Sequence, residues 1–156
     1  MELLGAQAGV KFNHIPFKGG GPLTSAVIAG EVPIAFFTPP PSIAQVRAGR
    51  MRAIAVSGAR RSPMLPGVPT VAESCYPTFE ASTWYGLLAP AGTPRNVVAT
   101  LQQDVARVFR MSEITEKLGQ QGVEPVGSTP EEFADHIVTE MAKWDKVVKT
   151  SGARVD

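Results

Sequence analysis

The sequence predicts an α/β fold, and three observations carry this prediction. Short apolar stretches typical of strands alternate with segments of helical spacing, which favours parallel strand pairing. The 14 prolines and 15 glycines fall mostly between these segments, as expected for a compact protein with many short elements. A hydrophobic share of 44% with 19% charged residues is a globular composition, so we expect a buried core.

The first half of the chain has the clearest alternation of strands and helices. Residues 1–8 resemble the end of a helix, and short helices are predicted over residues 23–29 and 43–48. The predicted strands are residues 12–17, 32–37 and 52–56. The prolines after Thr38 predict a stiff turn that lasts to Ser42. Residues 57–77 form a loop-rich connection, and the chain is expected to cross to a second lobe near its end.

The second half is predicted to be richer in helices. Strands are predicted over residues 79–88 and 123–126, with a short helix between them over residues 112–121. Thr93-Pro94 starts an earlier helix, and its predicted buried stripe is Val97, Val98, Leu101, Val105, Val108 and Phe109. Thr129 and Glu132 form a capping box before a final helix that ends near Ser151-Gly152. The apolar face predicted for that helix is Phe133, Ile137, Met141, Trp144 and Val148.

Charge and hydropathy exclude several classes of partner. Fifteen basic and fourteen acidic residues leave a net charge of +1, so no strong field attracts nucleic acid or anionic lipid. No apolar run of about 18 residues is present, and the residues after Met1 do not resemble an export signal. Any anion is therefore expected to be recognised locally, by a few groups.

Gly19, Gly20 and Gly21 are the most informative local feature. Three residues without Cβ atoms let the backbone approach a ligand and point amides at it from a helix N-terminus, which suits a carboxylate or a phosphate. The alternative is a tight turn without ligand. No Walker A or dinucleotide-binding spacing surrounds the glycines. The adjacent Lys18 is a secondary candidate for attracting an anion, although a solvated surface charge is the usual role of such a lysine.

Two other segments are weaker candidates for ligand contact. The Thr38 turn and the glycine turn each follow the carboxyl end of a predicted strand. Ligands of open α/β sheets lie beyond the carboxyl ends of strands. Both turns are therefore candidates for one crevice, and a rigid strand exit is the alternative for Thr38. Trp84 and Tyr85 are interpreted first as core or interface aromatics and second as ligand contacts.

No residue pattern indicates catalysis, a metal or a cofactor. His14 has no second ligand at metal-binding spacing, and His136 lies far along the chain. Cys75 is the single cysteine, which excludes an internal disulfide, and no nucleophile motif surrounds it. The prediction is a protein that is not an enzyme.

Six segments in order resemble one family of binding proteins. These segments are Ile15–Pro22, Thr38–Ser42, Val46–Ala53, Leu65–Glu73, Ser82–Pro90 and Gly122–Gly127. Together they resemble the C-terminal half of the substrate-binding receptors of tripartite tricarboxylate transporters, the Bug or TctC family. The resemblance runs from Met1 to Asp156.

The resemblance implies a type II periplasmic-binding-protein fold, in which two lobes of sheet flanked by helices hold a small carboxylate between them. Residues 1–78 would be the remainder of the second, ligand-cleft lobe, and residues 79–156 the C-terminal part of the first lobe. The implied ligand-binding residues are Phe17, Lys18, Gly19, Gly20, Gly21, Phe37, Thr38 and Tyr85. The implied partners are a small organic carboxylate and the permease subunits of a transporter, and the implied location is the periplasm.

This sequence departs from the family pattern in two ways. Pro33 and Phe37 stand where the family usually has acidic residues, which favours a more apolar ligand. The N-terminal half of the family fold, with its export signal, is expected to be missing, so the chain would be cytoplasmic if Met1 is the true start. Uncovered sheet edges then predict a homo-oligomer. The alternative function is a non-transporting structural or interaction remnant that self-associates.

Overall fold

The computed structural model describes residues 1–151, except for the side chains of residues 40 and 41. The helices within that range are α1 (Glu2–Ala8), α2 (Gly20–Ile28), α3 (Pro39–Arg47), α4 (Val71–Ser74), α5 (Arg95–Phe109), α6 (Ser112–Gln120) and α7 (Pro130–Ser151). None of these described helices combines the length and the apolar character that a membrane crossing needs. The chain divides into a first compact unit, Met1–Thr83, and a second that begins at Trp84. The assignment of the chain to two receptor lobes stays a prediction.

Two sheet lobes are not confirmed. Over residues 1–151 the predicted strands do not form ladders, and the pairing that is present is one parallel bridge between Val56 and Thr70. The Val56 N–H donates to the Pro69 carbonyl at 2.9 Å, and the Val71 N–H donates to the Val56 carbonyl at 3.0 Å. A strand exists only when a neighbour accepts its hydrogen bonds, so an apolar pattern predicts an extended backbone but does not supply its partner.

The buried residues of the first unit lie mostly on its helices and on the segments beside them. Among its described apolar residues, Ala26, Ile43, Val71 and Phe79 are buried. Thr70 is also buried, and its hydroxyl is satisfied there because it accepts the Glu73 N–H at 2.9 Å and caps α4. The Glu73 carboxylate in turn accepts the Thr70 N–H at 2.8 Å. This capping box replaces part of the predicted loop with a helix.

Arg61 also binds the Glu73 carboxylate. Its Nε lies 3.1 Å from Oε1 and 2.9 Å from Oε2 of Glu73. The bond from the Thr70 N–H and then the bond from Arg61 hold the pKa of Glu73 below its ordinary value, because both favour the charged form. The long connection is therefore anchored to α4 by polar contacts.

The predicted stiff turn after Thr38 is wrong in its extent. Thr38 is the N-cap of α3, and Pro39 to Ser42 form the first turn of that helix rather than a loop before it. Proline fits the start of a helix, because its fixed φ is already helical and an N–H at this position has no acceptor inside the helix.

The buried stripe predicted for the helix after Thr93 is not formed as expected. No residue of α5 is buried, and Leu101 is 54% exposed. One side of α5 is partly covered, because Gln102 Nε2 donates to the carbonyls of Gly127 and Ser128 at 3.2 and 3.3 Å. The other side, which carries Val97, Leu101 and Val108, contacts solvent.

The final helix begins as predicted, and its covered face includes Phe133, Ile137 and Trp144 of the predicted face, which are half-buried. Thr129 and Glu132 form the expected capping box, with bonds of 2.8 and 3.2 Å. The buried residues are Glu140 and Val147, whereas Met141 is 68% exposed. The prediction is wrong at Met141 and Val148, because steps of four residues drift around a helix of 3.6 residues per turn and the preceding residue faces the covered side instead. The predicted end near Gly152 lies outside the described residues.

Trp84 packs on the first turns of α7. Its ring makes edge contacts with the rings of Phe133 and His136, at centroid distances of 5.6 and 5.2 Å. A Cβ atom on Gly86 would lie 2.0 Å from Cζ of Phe133, so only glycine permits this approach. Trp84 and Gly86 therefore lie against α7, two residues apart, as alternate residues of an extended segment do.

Candidate ligand site

The loop before α2 leaves the N-terminus of that helix uncapped. Gly19 is the N-cap, with φ 98° and ψ 176°, a conformation that residues with a Cβ rarely adopt. Its N–H donates to the Phe17 carbonyl at 2.9 Å. No side chain caps the helix, and its first turn contains no acidic residue. The N–H groups of Gly20 and Gly21, at the first two helical positions, therefore have no acceptor within the helix.

The space in front of these amides is open. A methyl group added at Gly19 or Gly21 would meet no heavy atom within 4 Å. The two hydroxyls of the first turns point along the helix instead, since Thr24 Oγ1 donates to the Gly20 carbonyl at 2.7 Å and Ser25 Oγ to the Gly21 carbonyl at 3.4 Å. Backbone amides and the positive end of the helix dipole are thus the donors that α2 offers to an anion.

Two side chains flank this loop. Lys18 is exposed, and Phe17 is half-buried. Neither side chain forms a hydrogen bond or an ion pair within the described part of the chain. The ammonium of Lys18 is therefore available to an anion at the glycine loop, and the ring of Phe17 provides an apolar surface beside it.

The N-terminus of α3 differs from that of α2 in its supply of donors. Three successive prolines, Pro39 to Pro41, occupy its first helical positions, and proline has no N–H. The Ser42 hydroxyl donates back to the carbonyls of Thr38 and Pro39 at 3.2 and 3.0 Å. The Thr38 hydroxyl makes no hydrogen bond within the described residues and does not cap the helix. This helix end offers a hydroxyl and apolar surface instead of a row of amides.

The structure brings most of the predicted site residues into one unit. The Phe17–Gly21 loop precedes α2, Phe37 and Thr38 precede α3, and α2 and α3 contact each other within the first unit. Phe37 is half-buried, and Phe36 beside it is 38% exposed. Tyr85 belongs to the second unit, where its side chain is 82% exposed.

Sequence reasoning missed one concave feature of the first unit. An open groove of about 460 Å³ is lined by Arg52, Ala53, Ile54, Gly67, Val68 and Pro69. Its two walls are the extended segments on the N-terminal side of the Val56–Thr70 bridge. No residue pattern indicated it, because the two walls are separated by a long connection. Arg52 is the one cation of its lining, so the groove resembles a gap between strands more than a ligand site.

The remaining reactive side chains do not form a second site. Within the described range, no group of three or more His, Cys, Asp or Glu residues has a metal-binding arrangement. Cys75 is an exposed free thiol, and His14 is also exposed. His136 contacts Trp84 in the second unit.

Comparison with protein families matches this chain to the tripartite tricarboxylate transporter family receptor over residues 1–153. Among individual relatives, the protein BugT of Bordetella pertussis is 33% identical over 99% of this chain and 47% of its own length. The chain thus spans about half the length of such relatives.

Solved structures agree with the family match. One described as a periplasmic transporter has a TM-score of 0.81 and 34% identity, over 99% of this chain and 52% of its own. Another, MatC from Rhodopseudomonas palustris with bound malate, has a TM-score of 0.68 and 29% identity, over 94% of this chain and 51% of its own. These likenesses support the periplasmic-binding-protein fold.

Proposed function

Because this chain belongs to the tripartite tricarboxylate transporter receptor family, whose members are binding proteins and not enzymes, we propose that it contributes to binding a small organic carboxylate. The observation that carries the proposal is the N-terminus of α2, which is uncapped, lined by glycine, free of acidic residues and open to solvent. A carboxylate there accepts hydrogen bonds from two backbone amides and interacts favourably with the helix dipole.

Each predicted residue of the first unit has a role in this site. The amides of Gly20 and Gly21 bind the carboxylate oxygens, and Gly19 provides the backbone conformation that leaves them accessible. Lys18 adds a solvent-exposed positive charge, whose contribution is smaller because water screens it. Phe17, Phe37 and Thr38 contact the remainder of the ligand: the rings offer apolar surface, and Thr38 offers one free hydroxyl. The assignment of Tyr85 as a ligand contact stays a prediction, because Tyr85 belongs to the second unit.

The ligand we propose has one carboxylate and an apolar body. MatC is described with malate, which carries two carboxylates and a hydroxyl. In this chain the first positions of α3 are prolines, which cannot donate hydrogen bonds to a second carboxylate. Pro33 and Phe37 also stand where the family usually has acidic residues, so fewer polar groups are available to hold a second polar end of the ligand.

Calorimetry with matched ligand pairs tests this proposal. Hexanoate and adipate share a carbon skeleton and differ in the number of carboxylates, and phenylacetate and malate extend the panel. We expect the monocarboxylates hexanoate and phenylacetate to bind more tightly than the dicarboxylates adipate and malate. Tighter binding of adipate and malate would refute the apolar preference, and no binding by any of the four at millimolar concentration would refute the site itself.

A single methyl group tests the role of the α2 amides. Gly21→Ala adds a Cβ in open space without a left-handed backbone conformation, and Cβ atoms lean towards the helix N-terminus. The methyl then lies beside the proposed carboxylate, and loss of one charge-assisted bond corresponds to roughly a tenfold or greater loss of affinity. Gly67→Ala is the matched control, since its Cβ also meets open space in the same unit. Equal affinity of both variants would argue against amide recognition.

Partnership and location follow from the family. Its members are periplasmic receptors, and we propose that this chain presents its ligand to transporter permease subunits in the periplasm. The alternative, a self-associating remnant without transport function, is favoured by the exposed apolar segments, such as Leu87 at 79% and Val126 at 81%. Light scattering tests it: a concentration-independent monomer at micromolar concentration would contradict self-association.

A further inference from the structure

Charge is distributed unevenly along this chain. Between Glu80 and Arg95 there is no acidic or basic residue, whereas every charged residue between Glu31 and Glu73 is an arginine. These arginines are Arg47, Arg50, Arg52, Arg60 and Arg61, and all five are exposed. A guanidinium remains protonated at any physiological pH, so this stretch has a permanent positive charge.

Three of these arginines lie together at the C-terminal end of α3. Arg47 belongs to the last turn of the helix, and Arg50 and Arg52 follow it closely in the chain. The N–H groups of Arg50 and Met51 both donate to the Gln45 carbonyl, at 3.0 and 3.3 Å, so the chain folds back onto the helix end. The negative end of the helix dipole is equivalent to about half a charge, so it does not neutralise three arginines.

Arg61 approaches the same part of the first unit from the long connection. Its Nη1 donates to the Pro66 carbonyl at 3.3 Å. Pro66 precedes Gly67, which lines the open groove together with Arg52. The parallel bridge between Val56 and Thr70 aligns the two extended segments that form this groove. Arg52 and Arg61 therefore lie beside the same pair of segments, although they are separated along the chain.

The arginines at the end of α3 have no anionic neighbour. Within the described residues, Arg47, Arg50 and Arg52 form no ion pair and no side-chain hydrogen bond. In the second unit, by contrast, several basic residues pair with an acidic residue one helical turn away. These pairs are Asp104–Arg107 at 3.1 Å, Glu113–Lys117 at 2.7 Å and Asp145–Lys149 at 2.8 Å. Like charges that lie this close in the chain repel one another, so the arginines are suited to a partner that supplies negative charge.

We propose that Arg47, Arg50 and Arg52 form a docking surface for an acidic segment of a partner protein, with Arg61 at its edge. The planar guanidinium binds a carboxylate through two parallel hydrogen bonds. A lipid surface fits less well, because anionic lipid attracts a protein through its wider positive field and this chain has a net charge of only +1. Thr38 and Arg47 lie at opposite ends of α3, roughly 13 Å apart along its axis, so this surface is separate from the proposed ligand site.

Fluorescence anisotropy with a labelled hexaglutamate peptide tests the proposal. We expect hexaglutamate to bind at about 0.15 M salt and to bind more weakly as the salt concentration rises, whereas hexaglutamine should not bind. The variant Arg47→Gln/Arg50→Gln/Arg52→Gln should weaken the binding of hexaglutamate by about tenfold or more. Its three substituted side chains are exposed, so the variant should fold, and circular dichroism checks this.

A matched variant separates this surface from the effect of net charge. Arg95→Gln/Arg110→Gln/Lys146→Gln also removes three positive charges, from exposed residues of the second unit that form no ion pair within the described part of the chain. We expect it to lose much less affinity for hexaglutamate, because salt screens general attraction by net charge. Equal weakening by both variants would contradict the assignment.

Three other outcomes overturn the proposal. Absence of hexaglutamate binding at millimolar concentration would remove the docking surface. Binding of phosphatidylglycerol vesicles in place of hexaglutamate would assign the arginines to lipid. Self-association that light scattering detects and that the arginine variant abolishes would assign them to a second copy of the chain. The arginine variant should bind hexanoate as the unmodified chain does, so calorimetry tests the ligand site independently of this surface.

Discussion

The first unit buries four of its described apolar residues beside a few polar anchors, whereas the helix α5 of the second unit has no buried residue. In the first, Phe79 is 2% exposed and follows the capped helix α4 along the chain. In the second, Val147 and Glu140 are the buried residues of the described part, and α5 has none. The difference teaches that strong helical periodicity alone does not produce a core, because an amphipathic helix buries its face only when another layer lies against it.

The largest expected effect is on the core of the first unit. Phe79→Ala should lower the free energy of unfolding by about 3–5 kcal/mol, because it leaves a cavity at a fully buried ring. Urea denaturation followed by circular dichroism measures the change. Leu101→Ala, at a 54% exposed position of α5, is the comparison and should change stability by less than about 1 kcal/mol. Similar losses for both variants would mean that the two units do not differ as described.

A smaller loss of stability is expected at the close contact between Gly86 and Phe133 in the second unit. Gly86→Ala places a methyl inside the ring of Phe133 and should destabilise the protein by about 1–3 kcal/mol. Both tryptophans, Trp84 and Trp144, lie in the second unit, so tryptophan fluorescence during urea denaturation reports on it alone. In the double variant Gly86→Ala/Phe133→Ala the clash is removed, so the loss of stability should be smaller than the sum of the two single losses. A loss equal to that sum would show that the ring is not the obstacle.

Acid sensitivity is the smallest effect and reaches both units. Bonds from the backbone N–H and then the hydroxyl of Thr129 hold the pKa of Glu132 below its ordinary value, as the bonds from Thr70 and Arg61 do for Glu73. A lowered folded-state pKa contributes stability above the unfolded-state pKa of about 4.3, and that contribution is lost as the pH falls through the folded value.

Denaturation midpoints between pH 7 and pH 3 measure this dependence. Glu132→Gln should flatten the acid dependence reported by tryptophan fluorescence, whereas Glu73→Gln should flatten the part seen by circular dichroism. If neither variant changes how the denaturation midpoint depends on pH in the acid range, the proposed link between these pKa values and stability is wrong.

Glu140 adds a third carboxylate to the acid response of the second unit. Burial acts to raise its pKa, but hydrogen bonds from Lys143 and Trp144 outweigh burial, and the pKa is lowered. The Trp144 Nε1–H donates to Glu140 Oε2 at 2.8 Å. Sequence reasoning interpreted Trp144 as apolar packing only, because an i,i+4 bond to a buried carboxylate depends on which face of α7 is covered.

Local sequence was sufficient wherever the structure depends on local contacts. The capping box of Thr129 and Glu132 was predicted and is formed, and helices were expected close to the positions of α5 and α6. The same Thr-x-x-Glu signature at Thr70 was overlooked inside a proline-rich loop, although it caps α4. The start of α3 was also within reach, since a threonine followed by proline is a known helix beginning.

Long-range pairing was out of reach. Residues 12–17 and 79–88 are predicted strands, but a ladder depends on residues that are far away in the chain. The candidate site was predicted in the same uneven way. The glycine loop lies at a helix N-terminus as expected, whereas the loss of donors at α3 became evident only when its prolines were seen inside the helix.

The uncharged run between Glu80 and Arg95 also bears on how this polypeptide survives in a cell. An extended, apolar stretch without a single charge is the type of sequence that stacks into fibrils and that chaperones bind. A chain that is unfolded or partly folded exposes this stretch, so the unfolded fraction affects how much protein accumulates.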